Sequence, residues 1–339
     1  MITNISTKIT RLSVLAAAAL VAGSAFAVPP VNVKSERFVT AKEKNAVKAF
    51  RMKDGYKGDA AAKDLADKLF KAAHFSDVVS LKDDGSNHML HVSKNDPTAH
   101  FRIDKTTGDF SLSKGIKGYM NDQATAGLPD TNDKAVDAAK RHLTELGLMP
   151  ADQKQLVLRH VGGLNQGDLV DGKSVERKKL VTVHFGRQID GVDVGGPGSK
   201  IVVDLGANGE LVGVTKRWSE LTEEKKSDTD VHSQGDVTNA LKTKLQNDGA
   251  HAKTIDSSGP DFGYFDDGKG NVEPAYFFNA ELTYDSVDGG ATKQFKEKYH
   301  GAVPALKGSK ADFTQLAKAK SQPGKSQAYT QDKASQKDH

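Results

Sequence analysis

The chain has 339 residues, with 48 basic and 44 acidic side chains, eleven histidines and no cysteine. The missing cysteine excludes disulfides, thiolate metal sites and a cysteine nucleophile together, and the near-balanced charge makes no demand for nucleic acid. Aromatic residues make up 6% of the chain, so its cores must be built mostly from Val, Leu, Ile and Ala.

The first 27 residues have the order of a secretory signal. Lys8 and Arg11 precede an apolar run from Leu12 to Val21, and Ala25-Phe26-Ala27 supplies small residues at a cleavage site. The run is shorter than the roughly 20 apolar residues a bilayer requires, so cleavage after Ala27 is expected rather than a membrane span. Removing Lys8 and Arg11 leaves 46 basic and 44 acidic residues, a net charge of +2 on a mature chain beginning at Val28. Without a cysteine to acylate, that chain is expected to be a soluble bacterial protein, secreted or periplasmic.

Residues 28–58 form either a leading helix or an arm, with Phe38, Val47 and Phe50 as its apolar residues. Residues 59–128 read as a first α+β unit. Ala61, Leu65, Leu69 and Ala73 share one helical face, and strands follow at His88–Ser93, His100–Asp104 and Phe110–Ser113. Residues 129–222 repeat the scheme. Thr131 caps a helix whose stripe is Ala135, Ala139, Leu143 and Leu146, ending at Gly147 before Pro150. Strands then run through Gln155–His160, Lys179–Gln188, Lys200–Leu205 and Glu210–Arg217, with Asn208-Gly209 as a hairpin signal. In residues 223–306 a third helix carries Val237, Leu241 and Leu245 before strands at Phe262–Phe265 and Ala275–Tyr284. Residues 307–339 hold seven Lys and three Asp and few large apolar side chains, the composition of a basic disordered tail. The expected fold is therefore α+β, in tandem units of one helix packed on an antiparallel β-meander.

The stretch from Val181 to Trp218, VTVHFGRQIDGVDVGGPGSKIVVDLGANGELVGVTKRW, resembles the propeptide module of thermolysin-type metallopeptidases and, more broadly, the PepSY family of small exported domains. The likeness rests on a strand ending in an aromatic-x-[RQ] segment, the G-V-x-V turn at Gly191–Val194, an alternating apolar strand and a further strand after a Gly turn. It implies a PepSY/cystatin-like unit that restrains or assists a metallopeptidase. No H-E-x-x-H occurs in the chain, so the enzyme would be a separate molecule.

Other motifs carry less. Gly167 to Ser174 matches the P-loop pattern letter for letter, but strand-like residues 180–185 follow where a phosphate loop needs a helix. His88 and His91 lie three apart in a strand, on opposite faces, without a third ligand. Asp83-Asp84 and Asp266-Asp267 sit beside Gly in hairpin turns. No catalytic, metal or cofactor residue is assigned. Trp218, Arg217, Arg187 and His184 are the candidate partner contacts, because Trp and Arg dominate interface hot spots, with packing at the sheet end the competing reading for Trp218. The chain reads as an exported non-enzymatic binding protein whose partner is another exported protein. A secreted hydrolase of unrecognised type and a surface protein without a specific partner are the alternatives. Export from a bacterial host should yield a mature protein whose intact mass and N-terminal sequence start at Val28, whereas retention of residues 1–27 on the exported protein would contradict the signal.

Overall fold

A computed structural model of the chain describes residues 29–33, 48–74, 82–83, 85–96, 98–114, 127–170, 173–288 and 291–315. In chain order, β1 (Val31–Val33) and β2 (Lys48–Met52) precede α1 (Asp59–Ala72). Asp59 and Lys71 stand at the α1 ends that suit their charges. Its buried face is Ala62, Ala66, Leu69 and Phe70, turned by about one residue from the expected stripe, so that Ala61 is exposed. The strands β3 (Lys82–Asp83), β4 (His88–Val92), β5 (His100–Asp104) and β6 (Phe110–Ser113) then form an antiparallel meander.

The second helix, α2 (Asn132–Glu145), begins and ends as its sequence dictates. Thr131 Oγ1 accepts the Lys134 amide at 3.3 Å. At the other end Gly147 takes a φ of 67°, while the amides of Gly147 and Leu148 bond back to Thr144 and Leu143. Five strands follow: β7 (Leu156–Val170), β8 (Lys173–Ile189), β9 (Val192–Gly195), β10 (Lys200–Leu205) and β11 (Leu211–Arg217). Asp190 and Gly191 turn β8 into β9 with φ of 51° and 77°, and Asn208 and Gly209 turn β10 into β11 with 53° and 71°. Beyond β12 (Leu221–Lys225) lies α3 (Gln234–Asp248), which opens with a capping box between Ser233 and Asp236. The long strands β13 (Thr254–Asp266), β14 (Asn271–Asp288) and β15 (Ala291–Pro304) complete the described chain.

The tandem-unit expectation fails at one joint. The last strand of the first meander does not remain a free edge: Phe110, Ser111, Leu112 and Ser113 pair with Lys216, Thr215, Val214 and Gly213 of β11. The two meanders fuse into one surface ordered β3-β4-β5-β6-β11-β10-β8-β7. Both α1 and α2 pack into a single core against it, with Phe101, Leu112, Val183, Phe185, Val203 and Val214. Strand β9 then leaves β8 and runs parallel to β13, so the hydrogen-bonded network continues into β13, β14, β2 and β12. What forms is a predominantly β protein with fifteen linked strands and three α-helices among the described residues, not tandem units of one helix on one meander. The third helix covers only the far part, where Val237, Leu241 and Leu245 meet Ile255, Tyr276, Leu282 and Tyr299.

Residues read as arm or tail are partly built in. Phe50 is buried in β2, a strand rather than a helix, whereas Phe38 and Val47 fall outside the described residues. Within the stretch from Lys307, Ser309 Oγ and the Lys310 amide donate to Glu273, and Phe313 stacks on Phe265 at 4.5 Å. Residues 1–28 and those beyond 315 lie outside the described set, and no described helix is long and apolar enough to cross a membrane.

Strand alternation places His88 and His91 on opposite faces, and His91 is 5% exposed. Its ring meets the Phe70 ring edge-on at 4.8 Å, and neither ring nitrogen has a hydrogen-bond partner. Burial lowers its pKa. His91→Leu should therefore stabilise the fold by about 1 kcal/mol. The gain should be larger near pH 5 than near pH 8, because below about 6.5 the unfolded imidazole takes up a proton before the folded one and only the wild type loses stability. Denaturant midpoints at both pH values read the effect, and a midpoint lowered by the substitution would contradict it.

Candidate functional site

The β9–β10 loop, the end of β11, the β5–β6 loop and the β13–β14 turn converge on a polar cluster. Arg187, near the end of β8, is 1% exposed. Its guanidinium lies 4.0 Å from the Trp218 ring centroid, donating to the Ser219 carbonyl at 2.7 Å and to Ser199 Oγ at 3.3 Å. Ser199 in turn donates to Asp266 Oδ2 at 2.5 Å, and the Gly268 amide donates to Oδ1 at 2.9 Å. A buried cation and a buried carboxylate are thus linked through one hydroxyl. Burial pushes Arg187 down to about 10 and pushes Asp266 upward, with each charge partly offsetting the other's cost.

The loop sequence explains the close approach. Gly196 has a φ of 106°, and a Cβ there would meet the Asp266 carbonyl at 2.3 Å. A Cβ on Gly198 would lie 2.2 Å from the Asp266 carboxylate. The two acids of Asp266-Asp267 divide their tasks. Asp267 closes the turn, accepting the Lys269 and Asn271 amides at 2.7 and 3.0 Å, while Asp266 faces Arg187 as well as the turn.

Of the four residues singled out from the sequence, Arg187 and Trp218 come together and are buried, Trp218 at 7% exposure. Trp218 therefore packs at the sheet end. Arg217 is exposed beside Pro197, whose carbonyl is 3.5 Å away. His184 lies apart from them, half-buried and paired in register with His160, their ring centroids 5.9 Å apart. Burial and the neighbouring His160 lower its pKa. Asp109, Ser199, Asp266 and Lys216 were not anticipated as site residues. The Gly-Gly-Pro-Gly run before Ser199 and the second acid before Gly268 were the signals that could have marked two of them.

Two clefts flank the cluster. One, of about 270 Å³, is lined by both signs of charge, including Arg102, Asp104, Arg217, Asp267 and Lys269. Most of these are already engaged: Arg102 donates to His88 at 3.0 Å, and Lys269 pairs with Asp312 at 2.6 Å. The other, of about 310 Å³, has apolar walls that include Leu65, Phe110 and Trp218 and polar ones that include Asp54, Lys57, Lys216 and Glu220. Among the described residues no group of three or more His, Asp or Glu is arranged to hold a metal ion. The P-loop-like run forms the tip of the β7–β8 hairpin, strand on both sides, with residues 171 and 172 outside the described set.

Strand β7 offers a different kind of surface. It pairs only with β8 among the described residues, and it bears the two large exposed hydrophobic side chains, Leu158 at 48% and Leu164 at 41%. The other long edge, β15, carries Lys293, Lys296, Glu297 and Lys298, charges that discourage strand addition, whereas Arg159 and Asp168 are the formal charges of β7. Register shifts at Leu158/His160 and Leu164/Asn165 leave His160–Leu164 as a regular segment between two irregularities.

No family model matches the chain, and no curated protein matches it. Among solved structures, it is similar to an uncharacterized protein from Eubacterium rectale ATCC 33656, whose crystal structure was determined at 1.45 Å resolution. The identity is 13% and the TM-score 0.45, over 82% of this chain and 90% of that one.

Asp109 reports on the charge balance of the junction. Burial and the nearby Asp266 charge raise its carboxyl to about 6, against the opposing pull of Arg217. Because the folded state holds this proton more tightly than the unfolded chain, the stability cost of Asp109 is small below about pH 4, grows between about 4 and 6 and is fully present above about 6. Asp109→Asn should therefore raise stability near pH 7.5 by on the order of 1–2 kcal/mol after allowing for partial exposure, and by less near pH 4.5. Equal gains at both pH values in urea unfolding would contradict a raised Asp109 pKa.

Proposed function

We propose that the chain is an exported, non-enzymatic binding protein that takes up an extended segment of another exported polypeptide along β7. The observation that carries the reading is the sparsely charged edge of β7, which pairs with no strand other than β8 among the described residues and exposes Leu158 and Leu164. An edge strand presents a row of backbone donors and acceptors that a second extended chain can complete, and alternate side chains then supply specificity. The finer part of the proposal is that the partner is a metallopeptidase, which the protein restrains or assists. That part draws on the likeness of Val181–Trp218 to propeptide modules, and β7 borders the same sheet.

The test is titration of the chain from Val28 to His339 into a thermolysin-type metallopeptidase hydrolysing a chromogenic peptide. Saturable inhibition is expected, weakened at least tenfold by the double substitution Leu158→Lys and Leu164→Lys. Both sites are solvent-exposed, so the variant should fold with a stability near that of the wild type. Inhibition untouched by the variant would remove β7 from the mechanism. No binding by calorimetry and no inhibition would remove this class of enzyme as the partner.

A further inference from the structure

Apart from β7, the cleft of about 310 Å³ between the start of α1 and the ends of β6 and β11, with apolar and polar walls, has the attributes of a small-molecule site. Its volume falls at the lower end of the range of ligand pockets. Leu65, Ile103, Phe110 and Trp218 supply apolar walls. Among the polar residues of the lining, Lys216 is the half-buried cation. It lies at the β11 end of the cleft, and its amine makes no hydrogen bond and no ion pair within 4 Å among the described residues.

An ammonium group withdrawn from water without a partner is costly, and a counter-ion delivered beside it recovers part of that cost. Burial holds the Lys216 amine below the ordinary lysine range, with Glu220 and Asp109 opposing the shift from a distance. The lining holds two acids, Asp54 and Glu220, against Lys216 and the exposed Lys57, so its charges balance and a single negative charge suits the cleft better than a polyanion such as a phosphate ester. The remaining walls accept an aliphatic or aromatic body. We propose that this cleft binds a small apolar monocarboxylate, with its carboxylate on Lys216 and its apolar body against Leu65, Phe110 and Trp218.

The sole tryptophan of the chain lines the cleft, so its fluorescence reports occupancy. N-acetyl-leucine is the probe, and N-acetyl-leucine amide, which keeps the apolar body and lacks the charge, is its control. Titrated into the chain from Val28 to His339, the acid should change Trp218 fluorescence saturably and bind at least tenfold more tightly than the amide. Ligand-observed NMR provides a readout independent of Trp218. Lys216→Met, which retains an apolar stem, should lower affinity for the acid at least tenfold and leave the amide unchanged. Absence of saturable acid binding by both methods, or equal binding of acid and amide to the wild type, overturns the proposal. The acid–amide comparison needs no variant, so it decides the matter even where Lys216→Met fails to fold. Because β7 lies outside the cleft, Leu158→Lys with Leu164→Lys should bind the probe like the wild type, which separates this result from the fate of the polypeptide-binding reading.

Discussion

The pairing of β6 with β11 is the joint on which the rest of the architecture depends. It spans only Phe110–Ser113 against Gly213–Lys216, yet it converts two meanders into one sheet and obliges α1 and α2 to share a face. A separate unit of one helix and a short meander would bury little apolar surface. The fused sheet lets Phe101, Leu112, Val203 and Val214 contribute to a single core, and small domains gain steeply from such an increase in buried fraction. The joint also brings the β5–β6 loop beside the end of β11, which creates both clefts.

The second structural constraint is electrostatic. Arg187 and Asp266 come from strands on either side of the β9 connection, and Ser199 between them completes a buried polar chain. Removing one member would leave the other charge buried without its counterpart, an expensive state, so the three residues act as a unit that fixes how β8 meets the β13–β14 turn. Trp218 stacked on Arg187 and the glycines of the β9–β10 loop are the packing side of the same arrangement.

Local elements were legible where local chemistry dictates them. Thr131 and Gly147 marked α2, and the turn-formers around Asp96 and Thr107 bounded β5 and β6. Strand β15 escaped because Lys293, Lys296, Glu297 and Lys298 obscure its alternation, and β9 was read only as a turn. Edge pairing was not legible at all. Nothing in Phe110–Ser113 names β11 as its neighbour, since the match depends on where two distant segments are delivered by the rest of the chain. The site was legible only in part for the same reason. Arg187 and Trp218 were singled out as residue types, but their mutual burial and the Ser199–Asp266 link arise from contacts between segments tens of residues apart.

The placement of β1 carries a consequence for how the chain is made. Asn32 of β1 reaches Asp256 of β13 across 224 residues of sequence, and β2 waits for both β12 and β14. Early strands whose partners are synthesised so late cannot be stabilised by their neighbours, because non-local pairing must first overcome the entropy of closing very long loops. The N-terminal segments therefore remain open until most of the polypeptide has emerged. Such delayed closure leaves the unpaired edges of β1 and β2 open to other contacts until the final third of the polypeptide has been made, and only then can the sheet around them close.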